Sequence, residues 1–417
     1  MVTDNVLRQT TALLSQVFKF ETPTDVLLSK FFRENRKIGI HDRGIIAETI
    51  YTILRNYNKL TAVINPQNTF TLVAYTWIKL MGVGRHEIRE LKSISLGEMD
   101  KFAELDLSVI ELPEWLIQNL SQNQTLDEIK LLSAAMAKQA PLTLRVNTIK
   151  SSVSDALKQL TEMGIRAKAT KLSPYGIKLS HKSALMKNKL FLSGALEVQD
   201  EASQLAGMLL NPKRSEMVAD FCAGSGGKTL LFGMLMHNTG RIYAFDNNDK
   251  RLGNLAPRLA RSGLSNIYAQ LINNENDSKV KRLHGKMDKV FVDAPCLGLG
   301  TIRRNPDLKF RQSLENLAEI NRQQLSILTA ASKLVKEGGR LVYATCSLLH
   351  AENQGIIEQF STENPEFTRL AIADVLNIPE LILSDPEYLE LKPQLHDTDG
   401  FFACVMQKNT SLSAEEA

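Results

Sequence analysis

Apolar residues recur at helical spacing through the first third of the chain and at strand spacing through most of the rest. In HDRGIIAETIYTILRNYNKL, Ile45, Ile46, Thr49, Ile50, Ile53 and Leu54 fall on one helical stripe, with Asp42 placed to cap its start. TPTDVLLSKFF and SQNQTLDEIKLLSAAMA show the same spacing and glycines are sparse, so residues 1–138 are expected to form a helical domain. The pattern then changes. LTLRVNT reads as a strand, SSVSDALKQLTEMG as a helix ending at Gly164, and IRAKATKL and GIKLS as two more strands, giving a small α+β domain over 139–195. From 196 to 410 strands and helices alternate, which predicts an α/β domain with a mostly parallel sheet covered on both faces. No internal repeat is visible, and 411–417 read as a disordered tail.

Two of the predicted strands end on a cysteine. Cys296 follows the run KVFVDAP and Cys346 follows GGRLVYAT. Ligands of open α/β sheets bind at the carboxyl ends of strands, so two thiols meeting there point to thiolate chemistry on a substrate. Buried structural cysteines are the plainer alternative for a lone residue. The matching contexts of these two, near a glycine-rich loop, favour chemistry. Only four cysteines occur in 417 residues, without a CxxC pair, so neither a disulfide framework nor a metal site is expected. No apolar run is long enough to span a bilayer and the first residues lack a signal-peptide pattern, so a cytoplasmic setting without membrane contact is expected.

Net charge is only +4, but it is clustered. Residues 141–190 carry ten basic residues against Asp155 and Glu162. Residues 30–59 carry Lys30, Arg33, Arg36, Lys37, Arg43, Arg55 and Lys59 against three acids, and Arg303, Arg304, Lys309 and Arg311 follow Cys296. A single cluster suits a solvated surface. Three of them around a cysteine site suggest a nucleic-acid partner.

The last part opens with EMVADFCAGSGGKTLLFGMLMH, a strand, a glycine-rich turn and a helix. Gly-Lys-Thr invites a Walker A reading, but that motif requires glycine where Cys222 stands. About 20 residues on, RIYAFD ends in Asp246, where an acid takes ribose hydroxyls. Loop and acid fit a ligand with a nucleoside and a carboxylate, such as S-adenosylmethionine, at least as well as a dinucleotide.

Here the chain resembles a known family. DFCAGSGGKT, VDAPCLGLGTIRRNPDLKF and YATCSLLHAEN are similar to the first, fourth and sixth motifs of the RNA cytosine-C5 methyltransferases. VQDEASQ, RVNT and DGFFACVMQK match as well, and HDRGIIAETIYTILR resembles the NusB-like helical domain of the bacterial small-subunit rRNA branch. The chain departs at Ser225, where proline is usual, at Leu297, where a small polar residue is usual, and at Phe310, where tryptophan is usual. Asn273 stands about where an adenine-contacting aspartate is expected.

The resemblance implies a Rossmann-like domain that moves a methyl group from S-adenosylmethionine to carbon 5 of a cytosine in RNA, in 16S rRNA, free or partly assembled. It implies Cys346 as the thiol that adds to carbon 6, Cys296 as the group that assists release, and Asp293 as the contact to N3. Cofactor contacts would come from Cys222, Ala223, Gly224, Ser225, Gly226, Gly227, Lys228, Asp246, Asn273 and Asp293. Lys228 could also hold substrate, although a lysine on a helix surface is the commoner meaning. Cys404 and the Cys222 side chain would pack structurally. No metal or protein partner is implied. tRNA or DNA cytosine methylation and an inactive RNA-binding homologue remain the alternatives.

Overall fold

The computed structural model describes residues 2–89, 91, 94, 95, 97, 100, 102, 104–181 and 185–410, so the expected tail 411–417 lies outside the described residues. The chain forms two compact units, Met1–Gln139 with Thr301–Leu314, and Ala140–Gly300 with Glu315–Ala417.

The first unit is helical. Helix Asp4–Val17 starts where Thr3 Oγ1 accepts the Val6 amide at 3.3 Å, and it buries Val6, Leu7, Thr10, Leu13, Leu14 and Val17 as one stripe. Helix Ile40–Arg55 buries Ile46, Thr49, Ile50, Ile53 and Leu54. Its cap is Gly39, not Asp42. The helix begins three residues before the expected start, which leaves Asp42 in the first turn, where a carboxylate faces the positive end of the helix dipole. Wholly buried Trp77, on helix Thr69–Lys79, donates its indole N–H to Thr49 Oγ1 at 2.9 Å.

Segment Thr301–Leu314 completes this unit. The Phe310 ring lies 4.6 Å from Phe20 and 4.7 Å from Tyr57, centroid to centroid. Lys309 Nζ donates to the Glu111 carbonyl at 2.8 Å and stands 3.4 Å from Glu111 Oε2, with each side chain 1% exposed. Glu111 also accepts the amides of Asn58 and Lys59 at 3.0 Å. Burial pulls Lys309 down to about 8. The expectation that this basic group faces a polyanion is therefore corrected. Arg303 and Lys309 are buried, and Arg311 pairs with Asp307 at 3.5 Å. Lys309 and Arg311 are matched by acids within the same unit, which offsets the cost of burying a charge. Arg55 is also buried and pairs with Glu48 at 3.4 Å, whereas Lys30, Arg33, Arg36 and Lys37 are exposed.

The second unit holds two sheets. β1 (Leu142–Val146), β2 (Ala167–Ala169), β3 (Gly176–Leu179) and β4 (Leu196–Val198) form an antiparallel sheet in the order β2-β3-β1-β4. Leu144, Val146, Ile177, Leu179 and Leu196 cluster with Ala156 and Leu160 of helix Val153–Glu162. The larger sheet contains β5 (Met217–Phe221), β6 (Arg241–Asp246), β7 (Ile267–Leu271), β8 (Met287–Asp293), β9 (Val335–Thr345), β10 (Phe367–Arg369), β11 (Tyr388–Leu391) and β12 (Phe401–Lys408). Its order is β10-β12-β9-β8-β5-β6-β7, with β11 on β12. β5 to β9 are parallel, and β10, β11 and β12 pair antiparallel. Alternate residues feed two cores. Val290, Val292, Leu341 and Tyr343 pack on one face, and Phe291, Val342 and Ala344 on the other. That is why these strands read as unbroken apolar runs. Strand order reverses between β5 and β8, and a crevice opens at the carboxyl ends of strands at such a switch.

Candidate active site

Residues from four strand ends converge on that crevice. After β5 the chain folds through three left-handed residues, Cys222 (φ 67°), Gly224 (φ 58°) and Gly226 (φ 82°). A Cβ on Gly226 would lie 2.2 Å from Leu255 Cδ1, so glycine is required there. A Cβ on Gly224 would meet nothing within 4 Å, so the outer side of the loop is open to a ligand. Ala223 N–H donates to Phe245 O at 2.8 Å and ties the loop to β6. At the end of β6, buried Asp246 accepts the Gly224 amide at 2.7 Å and the Asn248 amide at 2.8 Å. A carboxylate fixed against an open glycine loop, ahead of helix Gly227–Leu235, suits a ribose and an anionic tail.

The loop is braced from the small sheet. Buried Arg145 of β1 donates to Gly227 O at 2.7 Å and to Gln199. Arg258 donates to the Ser225 carbonyl at 2.6 Å and to its hydroxyl at 2.9 Å. The serine that replaces the family's proline thus gains a hydrogen bond that proline could not make.

Lys228 is not a surface lysine. It is 7% exposed, its Nζ is 2.7 Å from Asp293 Oδ2, and it lies 4.9 Å from the Phe401 ring centroid. β8 ends at Asp293 and the chain turns through Pro295 to Cys296, while β9 ends at Thr345, directly before Cys346. The two sulfurs are 3.4 Å apart, and both cysteines are half-buried. The hydrogen bond shared with Cys346, followed by burial, pushes the Cys296 thiol well up, and Glu352 adds to this. At neutral pH Cys296 therefore rests as a thiol.

Asn273 follows Ile272, whose amide donates to the carbonyl of Asp246 at 3.0 Å. It is exposed two residues beyond β7 and donates its amide at 3.0 Å and its side-chain nitrogen at 3.2 Å to Asp277 Oδ2. Burial pushes the Cys222 and Cys404 thiols up, and Cys404 is fully enclosed in β12.

Two buried carboxyl groups were not singled out from the sequence. Asp220, in β5, accepts the Thr229 hydroxyl at 2.5 Å, and burial pushes it up to about 7. Its Oδ1 has no hydrogen-bond partner among the described residues. Glu352 lies between the two cysteine loops. For Asp220 an acid inside an apolar strand was the available signal.

Among the described residues no helix is long and apolar enough to cross a membrane. The sequence profile of the family "16S rRNA methyltransferase RsmB/F" matches residues 207–407, and the family's ferredoxin-like domain matches 112–185. A Synechocystis protein named "Probable ribosomal RNA small subunit methyltransferase B" is 33% identical over 325 residues, covering 77% of this chain and 70% of that protein. A Bacillus subtilis protein of the same name is 32% identical over 299 residues, 71% of this chain and 66% of its own length, just under two thirds. The crystal structure of a methyltransferase homolog protein from Pyrococcus horikoshii superposes with a TM-score of 0.60 at 30% identity, covering 71% of this chain and 99% of that one. The chain belongs to the 16S rRNA methyltransferase RsmB/F family, whose members draw their methyl group from S-adenosylmethionine.

Proposed function

We propose that this protein methylates carbon 5 of a cytosine in 16S rRNA through a covalent bond between Cys346 and carbon 6. The observation that carries this reading is the pair of sulfurs 3.4 Å apart beside the Asp293–Lys228 ion pair, at the sheet's switch point. Carbon 5 of cytosine is a poor nucleophile. When the Cys346 thiolate adds to carbon 6, a C–S bond forms and the ring electrons become available at carbon 5. Asp293 meets the N3 edge, and its carboxylate passes a proton from the paired Lys228 ammonium to N3, which lets the ring accept this charge. S-adenosylmethionine, when bound, supplies an electrophilic methyl group that carbon 5 attacks. The carbon-5 proton then passes to water, the C–H electrons re-form the ring double bond and expel the Cys346 thiolate as the C–S bond breaks, N3 returns its proton, and Cys296 assists this release.

Asp246 and the open loop 222–228 would hold the cofactor, with Asp246 on the ribose hydroxyls. Asp246→Ala removes a charged acceptor worth about 1.5–3 kcal/mol, a roughly ten- to hundredfold weaker affinity. Calorimetry with S-adenosylmethionine reads this directly, and an unchanged affinity contradicts the assignment.

The basic residues of 141–190 would take the RNA backbone. Lys158, Arg166, Lys168, Lys171, Lys187 and Lys189 are exposed, and Lys182 lies outside the described residues. Lys178 pairs with Asp397, and Arg145 is buried on the glycine loop. Reversing Lys168 and Lys171 to Glu should reduce the slope of log affinity against log salt by about 1.4, ~0.7 for each phosphate left without its lysine. Filter binding over a salt series measures it. An unchanged slope would mean that these lysines face only solvent.

The function itself is tested by transfer of labelled methyl from S-adenosylmethionine to 16S rRNA, both free and in partly assembled subunits, followed by bisulfite mapping. Label at one unpaired cytosine is expected, since carbon 6 is shielded within a stack. Label only in tRNA or DNA, or no label at all, overturns the assignment.

A further inference from the structure

We propose that Glu352 is the positioning residue that holds the two cysteine loops in register and so sets Cys296 to release the product bound to Cys346. The inference rests on the thiol roles given above. Glu352 sits on the turn His350–Glu352 after β9 and is fully buried. Its Oε1 accepts the amide of Leu297, the residue after Cys296, at 2.8 Å. Its Oε2 accepts the hydroxyl of Ser347, the residue after Cys346. One carboxylate thus spans both loops. Gln324 Nε2 donates to the same Oε1 at 3.1 Å and to the carbonyl of Pro295, the residue before Cys296, at 2.9 Å. Cys296 is therefore flanked on both sides by bonds that lead to Glu352.

The Cys346 loop has supports of its own. Thr345 Oγ1 donates to Asn353 Oδ1 at 2.5 Å, Asn353 Nδ2 donates to the Ser347 carbonyl at 3.2 Å, and the Gly300 amide donates to the Cys346 carbonyl at 2.8 Å. Loss of the carboxylate should loosen the Cys296 loop more than the Cys346 loop. Burial raises the Glu352 carboxyl, and the bonds from Ser347, Leu297 and Gln324 oppose that rise. A carboxamide of the same volume would place N–H groups against one of these donors, breaking a bridge without opening a cavity.

Glu352→Gln tests this with two independent readouts. The first needs no RNA. The oxidant diamide takes two hydrogens from a thiol pair and closes it as a disulfide, and peptide mapping follows the Cys296–Cys346 link. The link should form about tenfold more slowly in Glu352→Gln, the scale of one missing hydrogen bond to a charged group. The second readout is catalytic. Affinities for S-adenosylmethionine and RNA should stay within about twofold, while a denaturant-resistant protein–RNA complex builds up as in Cys296→Ala. A merely structural role would lower all of these together. Ser347→Ala, which keeps the carboxylate and removes one end of the bridge, should also slow the disulfide, and it serves if Glu352→Gln does not fold. Wild-type disulfide rate and no trapped complex in the variants overturn the proposal. If Cys296→Ala itself traps nothing, the thiol roles fail, and the diamide rate still decides whether Glu352 sets the two loops.

Discussion

Cys346→Ala should form no covalent complex with RNA and lose activity by on the order of 10⁴-fold or more, because the addition that activates carbon 5 has no substitute nucleophile. Cys296→Ala should behave differently. Attack and methylation remain possible, but the adduct no longer has the group that helps it break down. A shifted band should persist in denaturant and vanish after ribonuclease treatment. The asymmetry follows from the site. The sulfurs are 3.4 Å apart, so both reach the same ring, and removing one leaves the other in place to act alone. Trapping in Cys346→Ala and none in Cys296→Ala would reverse the roles and match the arrangement of DNA enzymes. Activity retained in both variants, with no trapping in either, would make the pair structural.

Asp293→Asn is expected to lower kcat by about 10²–10⁴-fold while the KM for RNA changes little. The carboxamide can still hydrogen-bond the N3 edge, but without a carboxylate it cannot relay a proton to N3 when the thiolate adds. The substitution also leaves Lys228 buried without the carboxylate 2.7 Å from its ammonium, so some loss of thermal stability accompanies it. Single-turnover kinetics below the variant's melting temperature separate the two effects. A kcat within about threefold of wild type would remove Asp293 from the chemistry.

Much of the fold could be read along the chain, because each element carries its own local signal. The alternation of strands and helices after residue 196 and the strand-end placement of Cys296, Cys346 and Asp246 all appear in the structure. What the sequence hid depends on distant partners. Lys309 looks like a solvent-facing charge until Glu111, almost 200 residues away, is seen against it. Lys228 looks like a helix-surface residue until Asp293 and Phe401 enclose it. Glu352 has no periodicity to mark it, since its meaning lies in touching two loops whose residues are far apart in the chain. Asp42 failed for a local reason. Gly39 caps the helix three residues early, and helix ends are weakly specified by pattern.

The placement of Thr301–Leu314 in the helical unit also orders the birth of the protein. Domains emerge from the ribosome amino end first and tend to fold as they appear. Here the amino-terminal helices cannot finish: the site that seats Phe310 between Phe20 and Tyr57, and Lys309 on Glu111, stays vacant until residue 314 has been synthesised. By then the stretch through β8 and Cys296 has already been made. The nascent helices must hold an unfilled apolar seat, exposed to chaperones, while all of residues 140–300 are synthesised. A fragment ending at residue 139 would keep that seat open permanently.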